Sequence, residues 1–177
     1  MTFETLPCCP PDVGRIIISD TDSFIYYIQH ENIYEWIKQN ISWFDTSEYG
    51  ENNRYEMPLV NGTVVLKFKD ELQGRIMKEY VGLRPKLYSF RTEDEQETKK
   101  SRGIKMNIVN TKITIHDYLM SLVRRKIFKY TQCTIQSKLH NVFTIERSKI
   151  GLNYQDDKRV IMQNHMTLPY GHYLLEK

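Results

Sequence analysis

The sequence predicts an α+β protein. Three observations lead there: β-prone runs that stop at acidic or glycine-bearing turns, two stretches with apolar residues at helical spacing, and a hydrophobic share of 40%, enough for a buried core. At 177 residues the chain is long enough for one or two small domains without covalent staples. The 12% aromatic content argues against a disordered chain.

Residues 1–14, with Pro7, Cys8, Cys9, Pro10 and Pro11, read as an irregular lead-in. Arg15–Ser19 and Phe24–Ile28 are strand-forming runs separated by Asp20, Thr21, Asp22 and Ser23, which predicts a hairpin with an acidic tip. In Glu31–Gln39, Ile33, Trp36 and Ile37 share one helical face, and Glu31 and Glu35 suit the positive amino end. Asn40–Asn61 is polar and turn-rich and reads as loop. Thr63–Phe68, Arg75–Val81 and Lys86–Arg91 are expected to be strands of one sheet, followed by an acidic turn at Glu93–Thr98. Thr114 is a cap for a helix over Ile115–Lys126, whose apolar side is Ile115, Tyr118, Leu119, Leu122 and Val123 and whose last turn is basic. Alternation within Thr131–Ile150 predicts a second hairpin.

The formal charge of +3 conceals a division. Residues 1–98 carry 10 Lys and Arg against 17 Asp and Glu, whereas residues 99–177 carry 15 against 5. A basic half of that kind is suited to polyanions, nucleic acid first among them. Cys8, Cys9 and Cys133 form no CxxC pair, and the five histidines show no metal-binding spacing, so neither structural zinc nor a disulfide framework is expected. No apolar run reaches the roughly 20 residues of a membrane span, and no secretory pattern opens the chain. A soluble intracellular protein with no membrane partner is the expectation, and no sequence signal assigns a compartment.

The chemistry concentrates in Ile16-Ile17-Ile18-Ser19-Asp20-Thr21-Asp22-Ser23-Phe24-Ile25-Tyr26. Two carboxylates held between strands suit hard cations, which take oxygen ligands; ordinary turn-forming aspartates are the plain alternative. This string resembles motif C of the family B DNA polymerases, Y-x-D-T-D-S, with Ile18 where the tyrosine usually stands. Further along, Val81-Gly82-Leu83-Arg84-Pro85-Lys86-Leu87-Tyr88-Ser89 resembles the K-x-Y motif of the same family. The basic run Lys99, Lys100, Arg102 and Lys105, the helix after Thr114 and the Ile135–His140 segment then follow in an order similar to the thumb of the protein-primed branch. It resembles especially the polymerases of Maverick or Polinton transposons, and the tail Asp156-Asp157-Lys158-Arg159 and Tyr170-Gly171-His172 fits that group. The resemblance runs from about Arg15 to His172.

That resemblance implies a partial palm over residues 15–98, with an antiparallel sheet and the catalytic hairpin, and a basic thumb with its tail over 99–177. It implies that Asp20 and Asp22 are the catalytic carboxylates of the complete enzyme and ligate two Mg2+ ions, with Asp22 bridging them. Lys86 and Tyr88 are expected at the primer end, and Lys99, Lys100, Arg102, Lys105 and Lys138 on phosphates. The implied partners are primer-template DNA, a deoxynucleoside triphosphate and a priming protein. The chain contains no D-x-x-S-L-Y-P string for motif A, no K-x-x-x-N-S-x-Y-G string for motif B and no exonuclease carboxylates. The isolated chain is therefore expected to be inactive. A transposon-derived module that binds DNA without catalysis remains the alternative, and a protein that uses its basic half on acidic partners or RNA is a third.

Overall fold

The computed structural model describes residues 14–20, 22–155, 159–162, 166–169 and 172–175. It is an α+β structure with mostly antiparallel sheets. Strands β1 (Gly14–Asp20) and β2 (Ser23–Ile28) pair antiparallel, with an irregularity at Ile17 that lets Ile16 face Tyr26 and Ile18 face Ile25. Helix α1 (Ile33–Gln39) starts at Asn32, whose side chain accepts the Glu35 N–H. A single 3-10 turn over Ile41–Trp43 leads into β3 (Phe44–Asp45), which pairs in parallel with β4 (Phe68–Lys69). The expected strand Thr63–Phe68 is thereby reduced to its end. Residues 63–67 instead turn, with Thr63 and Leu66 at positive φ.

The long connection that follows β3 is held by polar groups in place of a sheet. Asp70 accepts the Tyr49 hydroxyl at 2.6 Å and the Gly74 N–H at 2.7 Å, and Asn61 donates to the Ile41 and Phe44 carbonyls. Rings of Tyr34 and Tyr55 stack at 3.5 Å. Gly74 lies at φ +83 with Tyr55 and Tyr49 against it, so a side chain there would be both strained and crowded.

Strands β5 (Met77–Arg84), β6 (Leu87–Thr92) and β7 (Glu97–Ser101) form a three-stranded sheet in that order. Helices α2 (Met106–Lys112) and α3 (Ile115–Arg124) follow, then a long ribbon of β8 (Phe128–Lys138) and β9 (Asn141–Leu152). A short hairpin of β10 (Arg159–Ile161) and β11 (Thr167–Pro169) ends the described strands. The core joins Leu87 of β6, Ile104, Ile108, Val109 and Ile113 around α2, Tyr118 of α3 and Leu152 of β9. Burying each such side chain contributes about 1.5–3 kcal/mol.

Thr114 caps α3 as the sequence predicts. Its hydroxyl accepts the Asp117 N–H while the Asp117 carboxylate receives the Thr114 N–H, a reciprocal capping box. The helix stops at Arg124, two residues before the expected end, because Arg125 turns into the left-handed region at φ 55. Helix α2 was not anticipated from sequence. No side chain caps its amino end, and its stability comes from burying Ile108 and Val109.

The chain divides into two compact units. One comprises the described residues up to Lys78 together with Thr92–Gln96; the other comprises Glu79–Arg91 and the described residues from Glu97 onward. The expected palm–thumb boundary between Thr98 and Lys99 falls inside strand β7.

Candidate nucleic-acid interface and acidic hairpin

The acidic hairpin belongs to the first unit. Asp20 is the last residue of β1 and pairs with Ser23, which places both carboxylates at the tip, Asp20 half-buried and Asp22 exposed. The Ser23 hydroxyl donates to the Asp20 carbonyl at 3.1 Å and fixes the turn. Thr21, and the tail residues Asp156, Asp157, Lys158, Tyr170 and Gly171, lie outside the described residues. Among the described residues no cluster of three or more carboxylate, imidazole or thiol groups could hold a metal ion. Magnesium keeps six oxygen ligands, and a two-ion site needs carboxylates from separated strands. Asp20 and Asp22 alone do not supply that set.

In the second unit the folding brings the K-x-Y residues and the basic run onto one ladder. Tyr88 is paired with Lys100, Leu87 with Ser101 and Ser89 with Lys99. Just beyond, the Arg102 N–H donates to the Lys86 carbonyl at 3.1 Å. Directly opposed residues of an antiparallel pair project to the same side. Tyr88 and Lys100 therefore share one face, and Leu87, Ser89 and Lys99 the other.

Lys86 departs from its expected strand position. It follows Pro85 in the turn between β5 and β6, at φ 62, a conformation that L-residues other than glycine and asparagine adopt at a cost. Its side chain is exposed. Lys99 departs from its expected role. Its ammonium group donates to the Ile113 carbonyl at 2.7 Å and the Asn110 carbonyl at 3.2 Å, so it caps the carboxyl end of α2 from the core side of the sheet, with only 11% of the side chain accessible. A cation committed there is lost to phosphate contact. Lys100, Arg102 and Lys105 are exposed. The Gly103 left-handed turn, at φ +91, swings the chain from β7 toward α2 between Arg102 and Lys105.

The ribbon holds Lys138, expected from sequence, and adds Arg147 and Lys149, which the sequence pattern did not single out. Its register pairs Gln132 with Arg147, Tyr130 with Lys149 and Lys138 with Asn141, while Cys133 faces Glu146 one step away. By alternation Lys138, Arg147 and Lys149 share one face, and the ribbon's single carboxylate, Glu146, lies on the other. All three cations are exposed, with Arg147 donating to Gln136 at 2.6 Å. Gln132 anchors the base of that face by accepting the Lys105 N–H and donating to the Gly103 carbonyl. The two-residue spacing of Arg147 and Lys149 was the available signal; it needs the hairpin register to be read.

The chain matches no known family, curated protein or solved structure. No helix among the described residues is long and apolar enough to cross a membrane.

Tyr80 lies beside Tyr88 on the same sheet. Its ring lies 6.0 Å from that of Tyr88, and Tyr88 lies 6.4 Å from Phe90 with the planes nearly parallel. Burial, and secondarily the Tyr88 phenol, push the Tyr80 hydroxyl up to about 12, so it is neutral in ordinary conditions.

Proposed function

We propose that this chain is the palm and thumb portion of a family B DNA polymerase, which in the complete protein joins deoxynucleotides to a primer end by two-metal phosphoryl transfer. The observation that carries the reading is the pairing of Tyr88 with Lys100 on one strand pair, with Lys86 and Arg102 joined just beyond its end, after an Asp-Thr-Asp hairpin in the same chain order as the family's motifs. Lys86 and Lys100 offer mobile cations to phosphate, and Tyr88 offers a rigid ring and hydroxyl to a terminal sugar. The ribbon cations Lys138, Arg147 and Lys149 extend the phosphate-binding surface. In this reading Asp20 and Asp22 contribute one strand's carboxylates to the two-magnesium centre, and the opposing carboxylate comes from residues outside this set.

A second reading, a DNA-binding module without catalysis, is favoured by one observation: the carboxylate set is incomplete among the described residues. Both readings require DNA binding. The test is binding of Lys86→Ala/Tyr88→Ala protein to a recessed primer end and to blunt duplex. A larger loss at the primer end supports the polymerase reading; equal losses on both DNAs reduce Lys86 and Tyr88 to general surface contacts and leave the module.

A further inference from the structure

The sheet β5–β6–β7 has one face committed to the core and one that is not. Leu87 and Ser89 are buried, and Val81 and Leu83 pack against the same cluster. Alternation puts Tyr80, Gly82, Tyr88 and Phe90 on the opposite face, together with Lys100 and Thr98 across from Tyr88 and Phe90. The three rings form a continuous row and each residue remains partly exposed. Gly82 is needed for this: a Cβ there would meet the Tyr80 hydroxyl at 2.3 Å, so only glycine lets the Tyr80 ring lie along the strand beneath it.

Charge is sorted between the same two faces. Glu79 and Glu97 are the only carboxylates on the three strands, and both lie on the core side, paired with Arg91 at 3.4 and 2.8 Å. The aromatic face carries Lys100, and Lys86 at its turn, without an acid of the three strands. A ring row edged by cations is poorly matched to duplex DNA, whose base faces are hidden, and well matched to an unpaired strand, whose bases stack and whose phosphates take the lysines.

We propose that this face is a stacking platform for single-stranded DNA, with Tyr80, Tyr88 and Phe90 receiving bases and Lys86 and Lys100 receiving the phosphates between them. The site rests on the DNA-binding reading above and adds to it an unpaired-strand contact that neither the acidic hairpin nor the ribbon supplies.

The experiment compares binding of the full chain to a labelled thymidine oligonucleotide, to an abasic strand of the same length and to a blunt duplex. Stacking makes the thymidine strand about tenfold tighter than the abasic one, the effect of a single well-stacked base. Phe90→Leu keeps apolar bulk without a ring and is expected to remove most of that ratio while duplex binding and melting temperature stay as in the parent. Tyr80→Leu is the second variant should Phe90→Leu not fold; it deletes a buried hydroxyl that has no hydrogen-bond partner, so the fold tolerates it. Equal affinity for the thymidine and abasic strands, with duplex binding intact, overturns the platform and spares the DNA-binding reading. Absence of binding to every DNA at low salt overturns both. A folded Phe90→Leu or Tyr80→Leu protein that keeps the full thymidine preference also counts against the platform.

Discussion

At the scale of single residues, two lysines of the same sheet carry opposite meanings. Lys86 stands in a turn at φ 62 with its side chain exposed, a conformation that carries a backbone cost. Lys86→Gly is expected to leave stability unchanged or raise it by about 1 kcal/mol, while weakening DNA binding; urea unfolding and fluorescence anisotropy on the same protein measure both. Stability that falls in Lys86→Gly would mean that the side chain supports the turn. Lys99 is the reverse case, since its ammonium group holds two carbonyls at the end of α2. Lys99→Met should lower stability by about 1–2 kcal/mol and leave the salt dependence of DNA binding untouched. From sequence Lys86 belongs to the K-x-Y string and Lys99 to the basic run, and both are expected to contact DNA. Only the pairing of Ser89 with Lys99 and of Tyr88 with Lys100 decides which faces inward.

Elements were legible where their signals are local. The Asp-Thr-Asp hairpin, α1 and α3 follow from alternation, helical spacing and caps, and the structure has them within a few residues of the expected bounds. Helix α2 has no capping side chain at its amino end and owes its existence to core contacts of Ile108 and Val109 and to the distant Lys99, which no local pattern reports. Thr63–Phe68 has strand-forming residues, yet turns at Asn61, Thr63 and Leu66 claim most of it. The ribbon was expected as a hairpin over Thr131–Ile150, but its tip is not announced by an Asn-Gly pair. Leu139 and His140 both take positive φ, 50 and 62, in a two-residue loop. The double substitution Leu139→Asn/His140→Gly, which installs the residues that such a loop favours, should stabilise the ribbon by about 1–2 kcal/mol, seen as slower amide exchange along β8 and β9. Unchanged exchange would show that the tip is not the strained point.

Across the whole molecule, acidic and basic halves coincide with different chemistries. The hairpin supplies two carboxylates and the second unit supplies the exposed cations Lys86, Lys100, Arg102, Lys105, Lys138, Arg147 and Lys149. Neither motif A nor motif B is present to complete a nucleotide site. Primer extension by the purified chain with magnesium or manganese should accordingly be undetectable, with Asp22→Ala as the control for contaminating polymerase. Extension that vanishes in Asp22→Ala would establish an active enzyme with a carboxylate set other than the one described here. The central claim, that the basic half holds DNA through its phosphates, is tested most directly by titrating a labelled primer-template over a range of salt concentrations. The logarithm of affinity should fall linearly with the logarithm of salt, by about 0.9 for each phosphate contact, and the slope should shrink by about 2–3 in Lys138→Ala/Arg147→Ala/Lys149→Ala. A flat response, or no binding at low salt, would contradict it.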